Sequence, residues 1–287
     1  MKLIWPVVAL VLLVACGSPG GSGANPTPTP PTAALIAWQG FPADSKPRPI
    51  VWLINYSPAN GFQLDGGKVA FMCNKFVVQG GLPKNLPAEV VARWSDGTSA
   101  TYPGIGAFEA LAAMSKPNPL ASAECAGANP LVITGATVGQ ADYGTDRGKA
   151  SMTSWLFTAA GALSPIAYPA LAPSAFWNGR LTEGAGIGPA TVSADGMTVT
   201  YRFWGSPNTP GACGADYTAA AAESKSAVAV AVLAIPHAQP GDLVACPAIA
   251  AEREVTVTLA APLAGRVLAN SEGHAVAVCP AALARDC

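Results

Sequence analysis

The feature that most constrains the fold is a two-residue alternation of apolar and polar side chains, clearest in the sequence ATVSADGMTVTYRFWG at 190–205. Asp195-Gly196 lies at its centre, and Asp-Gly is a strong signal for a hairpin turn. After the turn, the alternation places Met197, Val199, Tyr201 and Phe203 on one face and Thr198, Thr200, Arg202 and Trp204 on the other. Because successive side chains of a strand point to opposite faces, we expect a hairpin with one buried face.

Further short strands follow toward the end of the chain. SAVAVAVLAI at 226–235 and EREVTVTLAAPL at 252–263 show the same alternation, and a final strand pair turns through NSEG at 270–273. Several short strands with turn signals between them are typical of a sandwich of antiparallel sheets. We therefore predict an all-β, sandwich-like domain at residues 173–287.

The first half combines hairpins with a helix. SDGT at 95–98 and TDRG at 145–148 each predict a turn between two strands. Between the hairpins, apolar residues recur at spacings of three and four, which predicts a helix; these residues are Ile105, Phe108, Leu111 and Ala112. Residues 49–56 and 68–78 are rich in β-branched and aromatic side chains, so we interpret both as strands.

These patterns predict a chain that is mainly β. We expect an α+β domain of antiparallel strands with one helix at residues 35–172, followed by the all-β sandwich-like domain.

The N-terminus begins with Met1-Lys2 and an apolar run, Leu3–Ala15, before Cys16. A positive start and a short apolar run are typical of a signal peptide, here residues 1–15, and the run is shorter than the ~20 residues of a transmembrane helix. Leu13-Val14-Ala15-Cys16 resembles the lipobox of bacterial lipoprotein precursors, in which a diacylglyceryl group is attached to the cysteine. The alternative is an ordinary signal peptide followed by an unmodified cysteine.

The lipobox resemblance implies that Cys16 is lipidated and holds the mature chain on the extracytoplasmic face of the bacterial cell membrane. Two acyl chains are enough for stable attachment. Residues 16–34 then form a linker, because the Gly and Ser residues are flexible and the Pro and Thr residues at 26–32 favour an extended polyproline II conformation.

The cysteines beyond Cys16 are even in number, which indicates disulfides in an oxidising compartment. If each bridge stays within one domain, one pair lies in the first domain and two lie in the second. We expect the pairs Cys73 with Cys125, Cys213 with Cys246, and Cys279 with Cys287. The alternative is that each is a buried free thiol. A metal site is not expected, because the sequence contains no C-x-x-C and neither His237 nor His274 lies at zinc-finger spacing from two cysteines.

A wider resemblance covers most of residues 88–269. SDGTSATYP, TDRGKASMTSWLFT, SADGMTVTYRF and AEREVTVTLAAPLAGRVL together are similar to a group of uncharacterised actinobacterial lipoproteins. The resemblance implies a location and an architecture. It implies no activity, catalytic residue or cofactor.

The charge of the chain argues against nucleic acid as a partner. Lys and Arg total 16, Asp and Glu total 17, and only 11% of residues are charged. The sequence also contains no G-x-S-x-G, H-E-x-x-H or Walker A motif, so we predict no catalytic residues. Asp96, Asp146 and Asp195 are interpreted as turn residues, whose carboxylates accept backbone hydrogen bonds. His237 and His274 are interpreted as exposed turn residues.

Trp204 is the best candidate for a ligand contact, together with Arg202, because both are predicted on the exposed face of their strand. We therefore expect a non-catalytic binding or scaffolding module whose partner is an envelope protein or a glycan. A hydrolase acting on a cell-wall or glycan substrate is the alternative, and a sensor of signalling peptides or cell-wall fragments is a third possibility. A hydrolase requires a cleft with convergent ionisable groups, whereas a binding module requires an exposed aromatic side chain or edge strand.

Overall fold

The structure is a computed structural model of the 287-residue chain. It describes residues 28–53, 58, 60–116, 124–177, 187–238 and 245–281. The predicted signal peptide, Cys16, most of the predicted linker and Cys287 lie outside the described residues, so what the sequence predicts for them stays a prediction.

The described residues contain three α-helices, two 3₁₀ helices and thirteen strands. The α-helices are α1 (Asp65–Met72), α2 (Ala107–Met114) and α3 (Glu124–Gly127), and the 3₁₀ helices are Thr32–Trp38 and Pro173–Ala175. The strands of the first half are β1 (Phe76–Val78), β2 (Val91–Trp94), β3 (Ser99–Thr101), β4 (Leu131–Thr145), β5 (Gly148–Ala159) and β6 (Ile166–Pro169). The strands of the second half are β7 (Ile187–Val192), β8 (Thr198–Gly205), β9 (Ala215–Glu223), β10 (Ala227–Pro236), β11 (Ala251–Thr258), β12 (Val267–Asn270) and β13 (Val278–Pro280).

A six-stranded sheet organises the first half around the long hairpin of β4 and β5. Its strand order is β1-β4-β5-β2-β3, and β6 pairs with β5. Strand β5 is buried on both faces, because Trp155 and Phe157 pack against α2, whereas Ala150 and Met152 pack against Ile50. We call this part the first unit.

A β-sandwich forms the second unit, from a three-stranded sheet (β12-β10-β9) and a four-stranded sheet (β11-β8-β7-β13). Alternate side chains of each sheet point into the space between them, as the period of a strand requires. Val228 and Val230 of β10 contact Val199 and Tyr201 of β8 in one apolar core.

The N-terminal 3₁₀ helix, Thr32–Trp38, covers the outer face of the three-stranded sheet. Trp38 is buried there with Ala227 and Ala229 of β10, and its indole N–H donates to the carbonyl oxygen of Gly273 at 3.0 Å. This helix begins within the predicted linker and packs on the second unit, so packing crosses the predicted domain division. The boundary at residue 172 stays a prediction.

The prediction of a mainly β fold is confirmed, and so are the hairpins at 95–98, 145–148 and 195–196. Most strand pairs are antiparallel, as expected, but the sheets are mixed: β1 with β4, β10 with β12, and β7 with β13 are parallel. These partners are distant in sequence, so no turn residues between them specify a direction.

The strand predicted at residues 68–78 forms only at its end, as β1, because residues 65–72 form α1; the first unit has three α-helices in place of one. The apolar run at 69–72 is too short for its periodicity to distinguish helix from strand. Tertiary packing decides it, because Ala70 is buried in the core formed with α2.

Candidate functional site

A buried ion pair lies where the two units meet. Arg48 precedes an extended segment, and its Nη2 pairs with a carboxylate oxygen of Asp146; only 8% and 1% of the two side chains are exposed. The Arg48 Nε–H donates to the carbonyl oxygen of Gly265 in the second unit at 2.6 Å. The other Asp146 oxygen accepts the Val51 N–H at 3.2 Å. Arg48 therefore connects both units.

Asp146 lies in the tight turn that joins β4 to β5. Thr145 organises this turn, because its hydroxyl donates to the carbonyl oxygen of Gly148 at 2.7 Å and accepts the N–H of Arg147 at 3.2 Å. Gly148 has a φ of 77°, a left-handed conformation that favours glycine. The backbone of Asp146 also bonds across the units, since its carbonyl oxygen accepts the Val278 N–H at 2.9 Å.

The interpretation of Asp146 as an ordinary turn aspartate was wrong. Its side chain is buried and paired with Arg48, whereas Asp96 and Asp195 accept the backbone N–H groups of Thr98 and Met197 at 2.8 Å and 3.0 Å, as predicted. The difference arises because the turn of Asp146 faces the second unit, while the other two aspartates are exposed.

Arg147 extends from the same turn and stacks on Trp94. Its guanidinium carbon lies 3.5 Å from the centre of the indole ring, within the range of a cation–π contact. Its Nε and Nη2 atoms, and Nη1 of Arg48, are buried and have no hydrogen-bond acceptor among the described residues. Burial lowers the pKa of the Arg147 guanidinium; the carboxylate of Asp146 opposes this shift, and the charge of Arg48 adds to it.

These groups lie along a cleft of about 570 Å³ between the units, which we call the arginine cleft. Its walls are mostly apolar and include Val192, Leu263, Val278 and Pro280, while Asp96 also lines it. A second cavity of about 480 Å³, between α1 and β4, is lined by small and apolar side chains and by Asn129.

Binding suits the arginine cleft better than acid–base catalysis. Its two carboxylates are already engaged, Asp146 with Arg48 and Asp96 with the N–H and hydroxyl of Thr98. The histidines lie outside the residues that line the cleft.

The histidines are partly buried and lie beside carboxylates, whereas the sequence suggested exposed turn residues. His237 is 3.1 Å from Asp216, and His274 is 3.5 Å from Glu272. The hydrogen bond to Asp216 raises the pKa of His237, and its contact with the backbone of Thr209 adds to the shift.

Trp204 and Arg202 lie elsewhere, on the outer face of the four-stranded sheet. Trp204 is 70% exposed, and Arg202 Nε donates to Glu254 at 2.8 Å. At about 3.4 Å per residue, Trp204 lies on the order of 20 Å along β8 from Thr198, and Gly196 of the arginine cleft precedes Thr198 in the turn. The structure thus places these two predicted residues together, but away from Arg48 and Arg147 of the arginine cleft.

Two of the expected disulfides are present. Cys73 is bonded to Cys125 and Cys213 to Cys246, with Cα atoms 5.4 Å apart in each pair. Cys279 is also disulfide-bonded, while Cys287 lies outside the described residues, so the third pairing stays a prediction.

No protein-family model, curated protein or solved structure matches this chain. Within the described ranges, no helix is both long and apolar enough to cross a membrane. The same residues contain no group of three or more His, Cys, Asp and Glu side chains that could hold a metal ion.

Sequence reasoning did not identify Arg48, Arg147 or Trp94 as site residues. The one available signal was the adjacent charged pair Asp146-Arg147 inside a tight turn, in a chain with only 11% charged residues.

Proposed function

We propose that this chain is a lipoprotein anchored through Cys16 to the extracytoplasmic face of the bacterial cell membrane. The lipobox-like sequence before Cys16 supports the anchor. The disulfides Cys73–Cys125 and Cys213–Cys246 support an oxidising compartment, because such bonds are rare in the cytosol.

We infer further that it is a non-catalytic binding module for an envelope glycan. The observation that carries this inference is Trp204, a large aromatic side chain left 70% exposed near one end of a polar sheet face. Contact with a ligand would remove much of that ring from water, which contributes on the order of 2 kcal/mol.

The surroundings of Trp204 favour a glycan over a protein partner. The residue opposite it on β11 is the exposed Glu252, and the next pair is Arg202 with Glu254. The remainder of this face is rich in hydroxyl groups, supplied by Thr191, Thr198, Thr200, Thr256 and Thr258. The centre of a protein interface is usually depleted of charged residues, which does not fit this face. A glycan has many hydroxyl groups, which can form hydrogen bonds with the carboxylate, guanidinium and threonine side chains while one sugar ring covers the indole.

A sedimentation assay tests the glycan proposal. The full chain is mixed with purified insoluble cell-wall glycan, and the bound fraction is measured for the wild type and for Trp204→Ala. We expect at least a fivefold loss of affinity in the variant. Phe108→Ala is the matched control, because Phe108 is an aromatic residue 54% exposed on α2 of the first unit. Equal binding by Trp204→Ala and the wild type, or equal loss in both variants, would contradict the proposal.

The anchor has its own test, because Cys16→Ser removes the sulfur that carries the lipid. We expect the wild type to partition into detergent and the variant into the aqueous phase. Membrane attachment that survives the substitution would refute lipidation at this residue.

A further inference from the structure

We propose that the arginine cleft is a second binding site, which takes a small ligand with one carboxylate and an apolar body. Arg48 and Arg147 bind the carboxylate, and the apolar walls hold the remainder. This site is separate from the face that carries Trp204, so each proposal can fail without the other.

The balance of charge in the cleft is the first support. Arg48 and Arg147 both lie near Asp146, and no other carboxylate is paired with either of them in the described part of the chain. The guanidinium groups of the buried Arg48 and the half-buried Arg147 therefore share one carboxylate. A buried charge without a counterion is costly, so a bound anion would offset an unfavourable term that the protein already carries.

The unused donors are the second support. Nε and Nη2 of Arg147 form the edge of a guanidinium that matches the two oxygens of a carboxylate, and both lack an acceptor among the described residues. Nη1 of Arg48 is a third unused donor. All three atoms are closed off from bulk water, so we expect a small shift of Arg147 across the indole of Trp94 when the ligand binds.

Arg266 differs from Arg48 and Arg147, because all of its guanidinium nitrogens donate hydrogen bonds. It also lines the cleft, but its Nη1 pairs with Glu223 at 2.8 Å. Its Nη2 donates to the carbonyl oxygens of Ala261 and Pro262, and its Nε to that of Leu263. Every nitrogen of the Arg266 guanidinium therefore has an acceptor, whereas Nη1 of Arg48 and Nε and Nη2 of Arg147 have none among the described residues.

The shape of the cleft defines the rest of the ligand. A volume of about 570 Å³ is within the range of small-molecule sites. Val192, Leu263, Val278 and Pro280 offer an apolar surface for an alkyl or aromatic body. Asp96 lines the same cleft and disfavours a second negative charge, so a monocarboxylate fits better than a phosphate.

The probe for the experiment is hexanoate, with hexylammonium and inorganic phosphate as comparisons. Affinity is measured by calorimetry on the full chain in detergent, and thermal unfolding is followed in parallel. We expect hexanoate to bind and to raise the unfolding midpoint, because a ligand that binds only the folded state stabilises it. Failure of hexanoate to bind, or tighter binding of phosphate or hexylammonium, would overturn the carboxylate assignment.

Substitutions then locate the site. Arg147→Gln should weaken hexanoate binding at least tenfold, and Arg147→Lys should fall between it and the wild type, because lysine keeps the charge but not the paired donors. Arg147→Gln also removes one of two like charges that share the carboxylate of Asp146, so the unliganded variant should unfold at the same temperature or higher. Lys149→Gln is the matched control, because it also removes one positive charge. Lys149 lies two residues after Arg147, and its side chain is 53% exposed. Wild-type affinity in Arg147→Gln, or an equal loss in Lys149→Gln, would refute the site.

Discussion

Arg48 and Asp146, 98 residues apart in sequence, form a buried ion pair at the junction of the two units. Each partner has further bonds, Arg48 to Gly265 and Asp146 to Val51. A buried pair of this kind contributes little relative to an apolar contact, but removal of one partner leaves the other charge uncompensated.

Asp146→Asn should therefore destabilise the protein strongly. The substitution leaves the buried Arg48 without a carboxylate and beside the like charge of Arg147, and we expect the free energy of unfolding to fall by about 3–5 kcal/mol. Urea denaturation followed by circular dichroism measures this change.

Asp142→Asn is the control for Asp146→Asn. Asp142 pairs with Lys149 at 3.3 Å on the same hairpin, but both side chains are more than half exposed. Exposed ion pairs contribute little, so the free energy of unfolding should change by less than about 1 kcal/mol. Similar losses for the two aspartates would contradict the role assigned to Asp146.

Truncation of two tryptophans to alanine should change the free energy of unfolding by very different amounts. Trp155→Ala should cost about 3–5 kcal/mol, because Trp155 is 1% exposed and its indole N–H donates to Ile105 at 2.9 Å. Trp204→Ala should change the free energy of unfolding by less than about 0.5 kcal/mol, since Trp204 lies on the surface. The same urea titration compares both variants, and a large loss for Trp204→Ala would mean that its ring has a structural role.

The two described disulfides should differ in their reduction under native conditions. Cys246 is exposed, whereas Cys73 is buried, so mild reductant should open Cys213–Cys246 before Cys73–Cys125. Mass spectrometry after timed alkylation gives the order of opening.

Replacement of either cysteine pair by alanine should lower the free energy of unfolding by about 2–4 kcal/mol, because the bridges close separations of 33 and 52 residues. Alkylation of any of these four thiols without reductant would contradict the pairing.

His237 should titrate above its ordinary pKa of 6.5, because its protonated ring bonds to Asp216. A raised pKa means that the protonated imidazole stabilises the fold below about pH 6.5 and that this contribution is lost as the pH rises through the folded pKa. NMR titration of the imidazole C–H signals gives the value, and Asp216→Asn should lower it. A midpoint at or below 6.5 in the wild type would show that the contact with Asp216 does not form in solution.

The hairpins could be predicted from the sequence because their information is local. Asp-Gly pairs at 96–97 and 195–196 specify the turns, and the alternation after 196 specifies which face is buried. Local information predicted the wrong element at α1 (Asp65–Met72). Its short apolar run, which contains Val69 and Phe71, has the composition of a strand but folds as a helix.

The arginine cleft could not be predicted because its residues meet only through tertiary packing. Arg48 lies outside any helix or strand. Arg147 lies in a turn, and the sequence TDRG is explained by the turn without any further role for its charged side chains. The three parallel strand pairs that bring distant segments together have no turn between their strands to reveal them. Trp204, by contrast, was identifiable because its exposure follows from the alternation of a single strand.

The bond from Trp38 to Gly273 spans 235 residues and determines when the N-terminal 3₁₀ helix can dock. Its binding surface includes Val267 and Ala269 of β12, which follow the helix at a similarly large separation in sequence. The helix therefore cannot dock until β12 has been synthesised and has paired with β10. Until then the apolar face of Leu35 and Trp38 has no surface to pack against, so docking of this helix is a late step of folding.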